Sequence, residues 1–173
     1  MIQISTVMWG MALIFGYIGF SRGWNKEIIA TAGIVLALFA LFQFDDLLTS
    51  LFINLQQEHA FLIRTLFLTV VTFFAYQNRS VIGSTSTRGS NRDSLQTSVL
   101  GGLVGVFNGY LIWGSLWYFM DVANYPLQPY ISAPVPGTAS ADFVGSLPLY
   151  LDPTGNLLAA AMIGLFIVVL IVL

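Results

Sequence analysis

Five long apolar runs leave this chain few folds to choose from. They are Ile4–Phe20, Ile28–Phe44, Ala60–Tyr76, Val99–Met120 and Leu157–Leu173. The shorter ones have 17 residues. As helices rising about 1.5 Å per residue they reach roughly 26 Å, close to the ~30 Å hydrocarbon core of a bilayer. None carries the polar outer face with which a helix of a water-soluble protein meets solvent. Only 8% of the residues are charged, against about 25% in soluble domains. Most of the surface therefore has lipid for solvent. Backbone groups in lipid must pair within the chain, which leaves helices or closed barrels. Barrel strands alternate apolar and polar residues over about ten positions, whereas these runs are longer and apolar on all sides. The expected fold is an all-α membrane protein, a polytopic transmembrane helical bundle of about five spans. The first run has no cation before it and no small-residue cleavage site after it, so it reads as a retained helix rather than a signal peptide.

The cations set the orientation. Arg22 and Lys26 lie between the first two runs, and Arg79, Arg88 and Arg92 between the third and fourth. The connections 43–60 and 121–156 carry no Lys or Arg. Lys and Arg concentrate in the loops on the cytoplasmic side of a membrane. Loops 21–27 and 77–98 are therefore expected in the cytoplasm, with the N-terminus outside and the C-terminus inside. The elbow between the first two runs, Gly19 to Glu27, reads as a cytoplasmic anchor. Trp24 suits the interface, Arg22 and Lys26 can reach lipid phosphates, Asn25 can cap the second helix, and Glu27 in its first turn complements the helix dipole.

The connections differ in character. Leu47, Leu48, Leu51, Phe52 and Leu55 fall on one helical face. They suit a short helix lying in the outer interface or an extension of the second span. Residues 77–97 are rich in Ser, Thr, Asn and Arg and read as a mobile loop, its arginines enforcing topology or meeting anionic head groups. All six prolines fall between Pro126 and Pro153, which limits regular structure there. The aromatic residues among them suggest a segment folded over the membrane surface or onto a partner. The fifth run ends flush at Leu173 with no polar flank, which points to a chain that continues or to an end buried in a larger assembly.

Two features suit helix contacts. Gly101, Gly105 and Gly109 repeat every four residues, with Asn108 beside them. In lipid, small residues let helix backbones approach closely, and an Asn can hydrogen-bond across helices. This face would pack on Ala12 and Gly16, on Gly33 and Ala37, or on Ala160 and Gly164, or else on a second copy or another membrane-protein subunit. Arg64 lies inside the third run. An intramembrane arginine snorkels or pairs, here with Asp45, Asp46 or Glu58, and it is the one charge expected inside a span.

Several classes of function fall away. There is no cysteine and a single histidine, His59, at a helix entrance. This leaves no thiolate chemistry and no His-based metal cluster. No phosphate loop or hydrolase triad is present. A net charge of −2 without a basic tract speaks against nucleic acid as a partner. No cofactor and no catalytic residue is expected, and the lipid bilayer is the one partner composition demands.

Gly19, Arg22, Gly23, Lys26 and Glu27, followed by Ile28-Ile29 and Gly33, together with Gly101, Gly102, Gly105 and Gly109, make the chain resemble the colicin V production protein (CvpA) family of small bacterial inner-membrane proteins. The resemblance covers about Ile4 to Met120. Family members often carry an aspartate near the first helix, where this chain has Gln3 and Ser5. The resemblance implies a four-helix core over 1–120, followed here by a proline-rich extracytoplasmic segment (121–156) and a C-terminal helix (157–173). It brings no catalytic residues. The expected function is a non-enzymatic membrane scaffold serving an envelope or export process. The alternatives are an accessory transmembrane subunit of a respiratory or photosynthetic complex, or a small channel or transporter component.

Overall fold

A computed structural model describes residues 3–45, 47, 57–77 and 91–172. Its helices are α1 (Ile4–Arg22), α2 (Trp24–Gln43), α3 (Gln57–Gln77), α4 (Asn91–Val122), the short α5 (Ala139–Phe143) continued by a 3₁₀ turn at Val144–Ser146, and α6 (Asn156–Val172). By length and composition, four of them can cross a membrane: α1, α2, most of α3 and most of α4. The C-terminal apolar helix is shorter. The chain is an all-helical, multi-pass membrane protein.

The joint between α1 and α2 is tighter than the sequence suggests. The chain reverses at Gly23 alone, with φ 82° and ψ 165°, a backbone region open to glycine and strained for other residues. The Gly23 N–H donates to the Gly19 carbonyl at 2.8 Å and closes α1. Because one residue completes the turn, α2 begins at Trp24 instead of near Ile28. Asn25 therefore lies exposed inside the first turn and does not cap the helix; the N-cap position is Gly23, which has no side chain to offer.

The glycine face of α4 is filled from within the chain, by α1. A Cβ at Gly109 would lie 2.6 Å from the Ala12 Cα, one at Gly101 2.7 Å from the Gly23 carbonyl carbon, and one at Gly19 2.9 Å from the Gly105 Cα. The backbones thus touch along the stretch of α4 from Gly101 to Gly109, as small residues permit in lipid. Of the three candidate partner helices, α1 is the one that takes this face. Gly33 instead meets Ala75 of α3, and a Cβ at Gly164 of α6 would meet nothing within 4 Å. This face offers no free surface to a second copy. On its other side α4 packs against α2, and α2 is flanked by α3 and α6.

The proline-rich segment folds back onto its own bundle. It leaves α4 through Asn124 and Tyr125, both at φ 55°, a left-handed conformation costing a non-glycine residue about 1–2 kcal/mol. Burial of the Tyr125 ring and a hydrogen bond to its hydroxyl from the Trp117 indole N–H at 3.0 Å offset that cost. Further on, Ser140 in α5 meets Ser5 of α1, hydroxyl to hydroxyl at 2.8 Å. The Tyr150 hydroxyl donates to Asp121 at 2.6 Å. Leu147, Leu149 and Leu158 join Ile34, Leu38 and Phe119 in a single apolar core, so 121–156 and α6 share the core of the first four helices. Asp152, itself buried, accepts from the Leu158 N–H at 2.8 Å and so secures the start of α6. Helix α4 starts at Asn91, so part of the expected 77–97 loop is helical; the rest of that loop and nearly all of 47–56 lie outside the described residues.

The backbone contact of α1 and α4 should be intolerant of volume. Gly105→Leu places a side chain against the Phe15 carbonyl and the Gly19 backbone, and should destabilise the protein by at least the ~1–3 kcal/mol of ordinary overpacking. Gly10→Ala, where a Cβ meets nothing within 4 Å, should be neutral. Thermal unfolding in detergent compares the two.

Burial pushes the Tyr125 phenol up to about 12, although the Trp117 indole acts in the opposite direction. Because the folded value is raised, its contribution to stability is complete below pH ~10 and is lost as pH rises through about 12. Tyr125→Phe should flatten that alkaline loss in a detergent melt measured across pH 9–12.

Candidate functional site

A buried polar network occupies the elbow end of the bundle, and its centre is Glu27. The side chain is fully buried (0% exposed). An uncompensated charge in so apolar a place costs several kcal/mol, and the other three long helices supply the compensation. From the last turn of α1, Arg22 donates through Nη1 to Oε1 at 2.8 Å. From the last turn of α3, the Tyr76 hydroxyl donates to Oε2 at 3.0 Å. From α4, Asn108 Nδ2 donates to the same Oε2 at 3.0 Å.

Each partner is held in turn. Arg22 Nη2 donates to the Tyr76 carbonyl at 3.0 Å, and its guanidinium lies 4.5 Å from the centre of the Tyr76 ring, where ring and cation attract. Asn108 is fully buried, and its Oδ1 lies 2.7 Å from the Thr31 hydroxyl. That hydroxyl is also 2.8 Å from the Glu27 carbonyl, so one proton serves two acceptors. Thr31 stands four residues after Glu27 and therefore on the same face of α2. The turn at Gly23 makes the arrangement possible by folding Arg22 back within reach of a carboxylate five residues later.

Several expected sites change role. Arg22 turns inward to Glu27 and not toward lipid phosphates. Glu27 does not simply complement the dipole of α2; it is a second charge inside the bundle besides Arg64. Trp24 is half-buried and Lys26 is exposed, and neither joins the network. Asn108 bonds across to α2, while Gly101, Gly105 and Gly109 face α1. Sequence reasoning missed Tyr76 and Thr31. The helical spacing of Glu27 and Thr31 was a usable signal, whereas nothing in the sequence joins Tyr76 to Glu27.

A second charge pair stands at the opposite end. Arg64 of α3 donates through Nε at 3.0 Å, and also through Nη2, to one oxygen of Asp45. Asp45 is one of the three partners considered for it. Arg79 and Arg88 lie outside the described residues, and His59 is exposed. Among the described residues, no group of three or more His, Asp or Glu side chains is placed to hold a metal ion.

Removing one member of the Glu27 pair should cost more than removing both. Arg22→Ala leaves a buried carboxylate short of its cation, a change that costs about 3–5 kcal/mol in comparable sites. Arg22→Ala with Glu27→Gln should recover a large part of that loss. A double-mutant cycle on detergent unfolding measures the coupling.

The sequence profile of the colicin V production protein family matches residues 4–139. The match runs past Met120 into the proline-rich segment, further than the elbow and the glycines alone suggest. No curated protein and no solved structure matches the chain. With most of its length covered, including the elbow, the glycine face and every residue of the Glu27 network, the chain belongs to the colicin V production protein family.

Proposed function

We propose that this chain is a non-enzymatic scaffold of the bacterial inner membrane, serving an envelope or export process. One observation carries the reading: the polar atoms of Arg22, Glu27, Tyr76 and Asn108 are directed at one another, across four helices. A network closed on itself fixes helix positions. Catalysis would need such groups aimed at a substrate. The same side chains explain why a membrane protein keeps costly charges in its interior, since they specify which helices meet and in what register. In this reading the elbow faces the cytoplasm, with Arg22 and Lys26 setting the orientation, and the proline-rich cap faces outward.

A second reading, an accessory subunit of a larger membrane complex, draws on α6. That helix packs chiefly on α2. Its outer face, with Leu157, Ile163 and Phe166 each more than 60% exposed, is left to lipid or to a neighbouring subunit.

Reporter fusions and extraction size separate these readings. A periplasm-active reporter should work at Gly137 and fail at Gly89; the reverse result would invert the orientation. Mild detergent extraction should yield a small homogeneous particle for a self-contained scaffold and a stable larger assembly for an accessory subunit. Ion flux through liposomes containing the pure protein would displace both in favour of a channel or transporter component.

A further inference from the structure

At the end of the bundle away from Glu27, the helices α2, α3 and α4 and the proline-rich cap leave a cleft of about 420 Å³. Small-molecule sites run from about 300 to 1,000 Å³. Leu38, Leu41 and Phe119 give the cleft an apolar floor, and all three are buried in the core. Arg64, Asp45 and Tyr118 line it as well, so charges of both signs meet a greasy wall. Phe42 and Val122 border the same cleft and are 40% and 41% exposed. The cleft is thus open on the flank of the bundle, where the spans α2 and α4 end.

We propose that this cleft binds a membrane phospholipid with a zwitterionic, phosphoethanolamine-type head. A lone anion would be attracted to Arg64 but repelled by Asp45 on the same rim, and a lone cation would meet the opposite pair of forces. A head group carrying phosphate and ammonium a few bonds apart gives each side chain an opposite charge. The Arg64 guanidinium has five N–H donors and spends Nε and Nη2 on a single Asp45 oxygen, which leaves its fork suited to a phosphate as well. Asp45, 44% exposed at its side chain, is reachable by an ammonium. A primary ammonium donates hydrogen bonds to a carboxylate, and a trimethylated one has none to give, so phosphoethanolamine should be preferred over phosphocholine. The apolar floor takes the upper acyl chains. The location fits too, since a cleft at the ends of two spans stands at head-group depth. This assignment depends on the cleft alone and survives or fails separately from the scaffold reading.

Native mass spectrometry of the full chain released from bilayers of equal phosphatidylethanolamine, phosphatidylglycerol and phosphatidylcholine tests it. The wild type should retain phosphatidylethanolamine over each of the others by about fivefold or more, a modest free-energy difference. Asp45→Asn should erase the preference over phosphatidylcholine. Arg64→Ala should lower retention of all three lipids. Val122→Trp fills the mouth while leaving the ion pair in place, and should block retention in a protein whose helical content is unchanged. Equal retention of the three lipids by the wild type, or full retention by a folded Val122→Trp, overturns the proposal. Displacement of bound lipid by soluble O-phosphoethanolamine would overturn the lipid assignment in favour of a free zwitterion.

Discussion

The structure depends on neutralising one carboxylate. Glu27 is buried without exposed surface, and lipid offers it no solvation. Its three side-chain donors come from α1, α3 and α4, while Glu27 itself stands on α2. Satisfying that one charge therefore fixes the mutual register of all four long helices at one end of the bundle. Apolar packing alone would specify this poorly, because lipid tails compete on equal terms with leucine and phenylalanine for an apolar face. A misplaced Arg22 or Tyr76 leaves a charge or polar group stranded, a penalty that a slipped leucine does not incur.

The second determinant is closeness. Ala12 against Gly109, Gly16 against Gly102, and Gly19 against Gly101 and Gly105 bring α1 and α4 to backbone contact. The two devices reinforce each other. The glycine contact brings α4 alongside α1, and Asn108, one residue before Gly109, then reaches Glu27 and the Thr31 hydroxyl of α2. At the far end, Arg64–Asp45, Trp117–Tyr125 and Ser5–Ser140 close the bundle under the proline-rich segment. Each end thus has its own polar fastening, with an apolar core between them.

Much of the fold could be read directly from the residues. The apolar runs marked the helix ends to within four residues, apart from the start of α4 at Asn91, eight residues before its run, because length and hydropathy are strong signals in a membrane chain. The four-residue glycine spacing marked a packing face, and the Arg64–Asp45 pair was among the options for a charge near a helix end. What could not be read was tertiary. Gly19–Glu27 looked like a polar elbow, yet a glycine at φ 82° lets α2 begin at once and turns Glu27 into the bundle, while Asn25 and Lys26 stay exposed. Glu27 was legible only as a complement to the helix dipole, because its burial depends on Tyr76 and Asn108, 49 and 81 positions away. The prolines correctly limited regular structure after α4, but the bundle that this segment covers was visible only once Leu147 and Ser140 were seen to be buried.

The one-residue joint at Gly23 also bears on how the chain enters the membrane. Arg22 and Glu27 are five positions apart, so their pairing needs nothing beyond the first two helices. A hairpin of α1 and α2 can bring the two charges together before α3 and α4 exist. It then presents the bilayer with a compact dipole in place of two separate ions. Tyr76 and Asn108, made later, complete the coordination of a charge that has already been neutralised. The order of the residues along the chain is in this sense an insertion schedule: the costliest group is matched first, by the nearest partner, and the later helices assemble around a solved electrostatic problem.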